Sequence, residues 1–297
     1  MTESTGIRTP VEVIHSRPTI EGAGVHLRRA FGGGLPKLDP FLLLDDFRSE
    51  NPVDFVAGFP WHPHRGMETV TYMLDGKVEH SDSIGNSGTI GPGEVQWMTA
   101  GSGIIHQEMP KGIDRRMGGF QLWVNLPAKQ KMMDPRYQEF RSGQIPLAQP
   151  SKDVRVRVIA GDVEGVKGPV RDIVVEPDYL DITLGPHAKF ERPVPSGHTA
   201  FAYLVSGKAS FDEEGKDDVS CEHLVIFKHG DRVRMAAGPE GARMIFVSGK
   251  PLGEPVAWWG PMVMNTRKEL ETAIEEFQAG TFIKHKARVA ERGVPAA

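Results

Sequence analysis

The chain has 297 residues, 39% hydrophobic and 25% charged, with a formal net charge of −4. That length suits two domains at ~100–200 residues each, and the composition is globular, neither disordered nor apolar enough for the ~20-residue runs that span a membrane. The negative balance offers no footprint for duplex nucleic acid, whose binding rests on Lys and Arg neutralising phosphates, so neither a membrane nor a direct nucleic-acid partner is expected.

The 34 glycines and 23 prolines are spread between short apolar runs. This pattern predicts many short strands separated by turns, and hence an all-β sandwich or barrel. In chain order the runs predict strands at Val25–Arg29, Phe41–Leu44, Val70–Leu74, Val95–Met98 and Phe120–Asn125. A second series follows at Val154–Ala160, Ile173–Val175, Leu180–Leu184, Phe201–Val205, Leu224–Phe227 and Arg243–Ser248. A helix is predicted only near the end, where Asn265 or Thr266 can cap it and Glu269 completes a capping box with Thr266. Leu270, Ala273, Ile274 and Phe277 share one face of it, which should pack on a sheet, before Gly280 ends it. The basic residues beyond, Lys284, His285, Lys286, Arg288 and Arg292, read as a solvated tail.

The two series of strands carry an internal repeat. Tyr72, Gly76 and Lys77 of YMLDGK recur as Tyr203, Gly207 and Lys208 of YLVSGK, 131 residues on in each case. A looser match sets Gly93 of GPGEV against Gly230 of KHGDRV. Two matches in the same order point to a duplicated domain. The boundary should lie within residues 127–150, dividing the chain into units 1–140 and 141–297.

The chemistry concentrates in the first unit. In GFPWHPHRGMETVTYMLDG, His62 and His64 stand two apart, and residues i and i+2 of a strand point to the same face. In GSGIIHQEMP the same spacing joins His106 to Glu108. If those strands are neighbours, three imidazoles and a carboxylate meet in one pocket, a nitrogen and oxygen set suited to Fe(II), Mn, Ni or Cu with positions left open for substrate and O₂. A closed zinc site is the alternative, although structural zinc usually recruits cysteines and none is nearby. Trp61 and Trp97 flank these motifs and can either stack on an aromatic substrate or belong to the core. Trp258 and Trp259 are expected to help seat the C-terminal helix.

These residues resemble the cupin superfamily, whose first motif here reads His62, His64, Glu68, Gly76 and whose second reads Pro92, Gly93, His106. The second motif departs from the common form: four residues, SGII, separate Gly101 from His106, and Glu108 follows. Those departures resemble the pirin family. So do LDPFLLLDDF, QLWVNLPAKQKMMDPRYQ and WWGPMVMNTRKELETAIEEFQAGTF, in order along nearly the whole chain. The resemblance implies two tandem cupin domains, antiparallel jelly-roll β-barrels, with a short C-terminal helix. It implies one divalent metal per chain in the first domain, most often Fe²⁺ with Ni, Mn, Cu, Zn and Co as alternatives, held by His62, His64, His106 and Glu108. Glu68, a ligand in many cupins, is left with an outer or structural role. In the second unit, the positions 131 residues beyond His62 and His64 are Pro193 and Pro195, which have no ligand atom. His187, His198, His223 and His229 form no such pair and read as ordinary surface or turn histidines.

Members of the family open the flavonol quercetin with O₂, so the resemblance implies a small aromatic substrate, with Glu108 also serving as the catalytic base. Other members are described as regulators whose metal oxidation state alters a surface bound by a protein partner, a transcription factor or metabolic enzyme, and that is the competing expectation. The one cysteine, Cys221, cannot form an intramolecular disulfide. The opening MTESTGIRTPVEV lacks the basic and then apolar stretch of a secretory leader, so a reducing cytoplasm is expected.

Overall fold

The computed structural model describes residues 6–33, 38–113, 115–212 and 218–285; Lys286, Arg288 and Arg292 of the basic tail lie outside them. Three larger sheets and two short ribbons carry the fold. A seven-stranded antiparallel sheet runs in the order Arg136–Phe140, Val95–Thr99, Met67–Asp75, Gly118–Asn125, Phe41–Asp46, Val25–Phe31, Arg17–Glu21. A four-stranded sheet, Phe59–His64, Ile104–Lys111, Lys77–Asp82, Ser87–Ile90, faces it and completes the first barrel. The second half forms a nine-stranded sheet around the long strands Thr199–Ser210 and Arg232–Gly249.

Ten of the eleven expected runs lie within strands; Ile173–Val175 does not. Asp172 and Glu176 on either side of it adopt positive φ, 59° and 47°, which breaks the extended path. Ile173 and Val175 are nonetheless buried, and Lys250 N–H donates to the Val175 carbonyl, so an irregular segment fills core space that the apolar run assigns to a strand. The helix spans Arg267–Gln278, with the Thr266–Glu269 capping box formed, Ala273 buried and Phe277 exposed. Both chain ends cross the division we propose at 140/141. Pro10–His15 pairs with His223–Phe227 in the nine-stranded sheet, and the last helix and the ribbon Ala257–Trp259/Met262–Met264 lie against the first half.

The period of two explains the packing. In the seven-stranded sheet Val70, Tyr72, Val95, Trp97, Phe120, Leu122 and Val124 turn outward and meet Tyr179, Phe201, Tyr203, Ile245 and Val247 of the nine-stranded sheet in one shared core. Their odd- and even-numbered neighbours on the opposite face turn into the first barrel. The interior of the second barrel is mostly apolar, with Ala200, Ala202, Leu204, Ile182, Met244 and Phe246 among its residues, and the ion pair Asp178–Arg192 with Ser248 at one end. At the repeat spacing, Ala200, Ala202 and Leu204 stand where the first barrel has Thr69, Thr71 and Met73. Gly76 and Gly207 both turn at φ 72°, which supports that alignment.

The shared core also carries a reciprocal polar clasp. The Tyr72 hydroxyl donates to Asp181 Oδ2 at 2.7 Å, and Asp181 is held by Arg243 at 2.9 and 2.7 Å. From the other side, the Tyr203 hydroxyl donates to Asp46 Oδ2 at 3.0 Å, and Asp46 is held by Arg48 at 2.8 and 2.6 Å. Each repeat tyrosine thus satisfies a buried carboxylate of the opposite half. Burial and the neighbouring Asp181 push the Tyr72 phenol well above its ordinary range, so it stays a donor. Replacing Tyr72 by Phe removes a buried hydrogen bond to a charged acceptor, a change worth about 1.5–3 kcal/mol. The urea midpoint of Tyr72→Phe should fall accordingly with an unchanged slope; an unaltered midpoint would show that the clasp adds nothing to stability.

Candidate metal centre

The strand Phe59–His64 lies antiparallel to Ile104–Lys111, with Ile104 opposite His64 and His106 opposite His62. A register shift follows, so that Glu108 faces Phe59. This pairing brings the three imidazoles together: their ring centroids lie 4.4 to 5.0 Å apart. One ligand nitrogen from each falls within 4.8 Å of the others. His62 Nδ1 meets the Pro60 carbonyl at 2.8 Å, which fixes the proton on Nδ1 and leaves Nε2 as a lone pair. That Nε2 lies 3.0 Å from His64 Nε2. Both ring nitrogens of His106 are buried without a hydrogen-bond partner, a costly arrangement for a polar ring unless something else engages it.

The charge state suits ligation. Burial, reinforced by His62 and His106, holds His64 well below the ordinary imidazole range. Burial likewise lowers His106 to about 4, with Glu108 opposing the shift and His62 adding to it. Both rings are therefore neutral at pH 7 and present lone pairs, as metal binding requires. The donors present fit a divalent ion.

Glu108 is on the same strand face as His106 but one two-residue step away, roughly 6.5–7 Å along the chain. Its carboxylate is not part of the three-residue cluster among the described residues. It accepts from Thr71 Oγ1 at 3.2 Å and from Gln121 Nε2 at 3.3 and 3.4 Å, long contacts that are readily exchanged. On its other side it stands in register with His80, which meets Gln96 at 3.0 Å and Glu139 at 3.3 Å. Glu68 takes the opposite direction. It falls on the strand face of Val70 and Tyr72, accepts a 2.6 Å hydrogen bond from Thr99 Oγ1, and is raised by burial. Trp97 shares that face and is fully buried, so of the two tryptophans flanking the motifs only Trp61 reaches the site.

The cluster opens into a cavity of about 750 Å³ lined by His62, His64, Trp61, Trp123, Trp258 and Trp259, with Arg29, Asp45 and Gln121 along one wall. Trp123 stands edge-on to His64 at 5.2 Å and tilts against Trp258 at 6.1 Å. Arg29 is neutralised by Asp45, at 2.8 and 2.7 Å, and by Glu21 at 2.9 Å. The part played by Trp258 and Trp259 in this wall was not legible in the sequence, because they lie almost 200 residues from the histidines.

Two buried cations lock the C-terminal segment against the ligand loops. Arg65, next to His64, donates to the Ser102 and Phe282 carbonyls at 2.7 and 2.8 Å, pairs with Glu276 at 2.7 Å, and stacks 4.2 Å from the Phe282 ring. Lys131 places its three ammonium protons on Gly66 O, Asn125 Oδ1 and Val263 O at 2.6 to 2.9 Å. Burial lowers its pKa to about 7. Gly66 has φ 76°, and a Cβ there would come within 2.0 Å of the Val263 carbonyl, so only glycine permits this approach.

Comparison with known proteins agrees with this geometry. The pirin family model matches residues 24–124, and the pirin C-terminal cupin domain model matches residues 179–283. A pirin-like protein of Caulobacter vibrioides is 44% identical over 278 residues, covering 93% of this chain and 99% of that one. The chain belongs to the pirin family. Human pirin is 42% identical over 268 residues, covering 89% and 90% of the two chains. A crystal structure of quercetin 2,3-dioxygenase from Acinetobacter baumannii superposes with a TM-score of 0.85 at 32% identity, covering 93% of this chain and 99% of that one. Like other pirins, this chain is a bicupin. No helix among its described residues is long and apolar enough to cross a membrane.

The depressed histidines couple the site to stability. In the metal-free protein, unfolded His64 and His106 take up protons near pH 6.5, whereas the folded rings resist until His106 yields near 4. The stability they contribute is complete above about 6.5 and is lost as pH falls towards 4, on the order of 3 kcal/mol for His106. Urea midpoints measured between pH 7.5 and 4.5 should fall along this window, and less steeply in His106→Asn. Equal slopes in the two proteins would contradict the assignment.

Proposed function

We propose that this pirin is a metal-dependent oxygenase that opens a flavonol such as quercetin, or a related hydroxylated aromatic, with O₂. One observation carries the reading: three imidazoles cluster where two of them line a tryptophan-walled cavity, with a carboxylate two residues along the strand of the third. The structural likeness to a quercetin 2,3-dioxygenase supports it.

In this reading His62, His64 and His106 hold one divalent ion, Fe²⁺ by family resemblance, with Glu108 as a further ligand. The same donors accept Ni and Cu more tightly under the Irving–Williams order, and Mn, Zn and Co are chemically admissible. When bound, the ion supplies Lewis acidity towards an aromatic hydroxyl and brings O₂ and substrate together. The chain does the rest. Trp61, Trp123 and Trp258 provide ring surfaces for a planar substrate, and the enclosing C-terminal ribbon limits water. Glu108 receives the hydroxyl proton. Its hydrogen bonds from Thr71 and Gln121 keep the carboxylate aimed while remaining weak enough to exchange.

Metal-loaded protein incubated aerobically with quercetin should bleach the flavonol absorbance and consume O₂, and Glu108→Gln at matched metal occupancy should turn over ~10²–10⁴-fold more slowly. An intact flavonol band with loaded wild type overturns the oxygenase reading. Wild-type turnover in Glu108→Gln removes the base role.

A further inference from the structure

A second, smaller cavity shares Asp45, Phe59 and Gln121 with the large one and reaches into the first barrel beside Glu108. It holds about 30 Å³, room for one water or one diatomic molecule but not for an aromatic ring. Its walls are Val25, Leu27, Phe47, Phe55, Val78 and Met117, and all six are buried. The polar atoms on its border are few and already hydrogen-bonded. Thr71 Oγ1 donates to Glu108, Gln121 Nε2 donates to Thr71 and to both Glu108 oxygens, and Asp45 accepts two hydrogen bonds from Arg29.

A buried water needs two to four polar partners, and cavities lined by apolar side chains stay dry and take apolar guests instead. The walls here offer a guest dispersion contacts and almost no hydrogen bonds. A small apolar diatomic gains from that exchange what water loses. The position matters as much as the chemistry: Glu108 borders the pocket and stands two residues from His106 on the same strand face. A guest there lies against Glu108 and is divided from the aromatic cavity by Gln121 and Phe59, which line both.

We propose that this pocket is a holding site for a small apolar gas molecule, O₂ in the reaction proposed above, passed to the histidine cluster beside Glu108 and Gln121. The identity of the gas rests on the oxygenase reading; the preference for an apolar guest rests on the pocket alone. It gives the two substrates separate approaches, the planar aromatic through the tryptophan cavity and the gas from within the barrel.

Xenon is the probe, because it is apolar, enters apolar cavities and is located by its scattering. Crystals of the full chain pressurised with xenon should show a peak bordered by Leu27, Phe55 and Val78. The peak should vanish in Val78→Phe and weaken in Val25→Ile, a one-methyl change that guards against misfolding of the larger variant. In steady-state assays of the metal-loaded proteins, KM for O₂ should rise severalfold in Val78→Phe, with metal content and KM for the flavonol unchanged. Ordered water in the pocket, or no xenon there, overturns the proposal. So does an unchanged KM for O₂ in a variant that has lost the xenon peak. Xenon binding in a wild type that consumes no O₂ would retain the gas site but overturn its assignment to O₂, and with it the oxygenase reading.

Discussion

The four central strands of the seven-stranded sheet are buried on both faces, and the rest of the structure depends on that constraint. One face must be apolar to meet the nine-stranded sheet; the other is free to carry polar groups into the first barrel. Strand alternation then decides which residues can reach the site. On Met67–Asp75 the outward set is Glu68, Val70 and Tyr72, and the inward set is Thr69, Thr71 and Met73. Glu68 cannot approach the histidines without turning Val70 and Tyr72 out of the shared core. Its hydrogen bond comes from Thr99, which shares that outward face. Glu108, on a different sheet, is the carboxylate that faces inward with His106.

Two-sidedness also explains why two repeats of one fold differ chemically. Both tyrosines of the repeat motif face the shared core and do the same work there, clasping a carboxylate of the other half. The inward positions are under no such mutual constraint. The first barrel keeps threonines, glutamines and histidines, so its interior is a polar site with a small apolar core beside it. The second barrel fills the matching positions with alanine and leucine and becomes a dry core. Its stability is that of close packing, whereas the first barrel spends burial energy on rings that stay neutral.

Much of this was legible in the sequence because it is governed by periodicity. The spacing His62–His64 and His106–Glu108 signals a shared strand face, and the glycine and proline punctuation signals the strands themselves. What periodicity does not encode is contact at a distance. Trp258 and Trp259 join the cavity wall through a ribbon that returns from the far end of the chain, and Pro10–His15 joins the sheet of the opposite half. Arg65 and Lys131 carry charge yet are buried, because two backbone carbonyls from separate segments converge on each: Ser102 and Phe282 on Arg65, Gly66 and Val263 on Lys131. Ile173–Val175 reads as a strand because an apolar run does not by itself specify its backbone, and positive φ at Asp172 and Glu176 breaks the extended path there.

One barrel is thus proposed as the site and the other as the scaffold, with the three clustered histidines positioned by strand pairing and held from behind by the C-terminal segment. Anomalous diffraction at the metal absorption edge, from crystals of metal-loaded protein, tests this most directly. It should place one ion per chain among His62, His64 and His106, at about 2.0–2.2 Å from one nitrogen of each ring. A peak inside the second barrel, or one coordinated by Glu68, would contradict it.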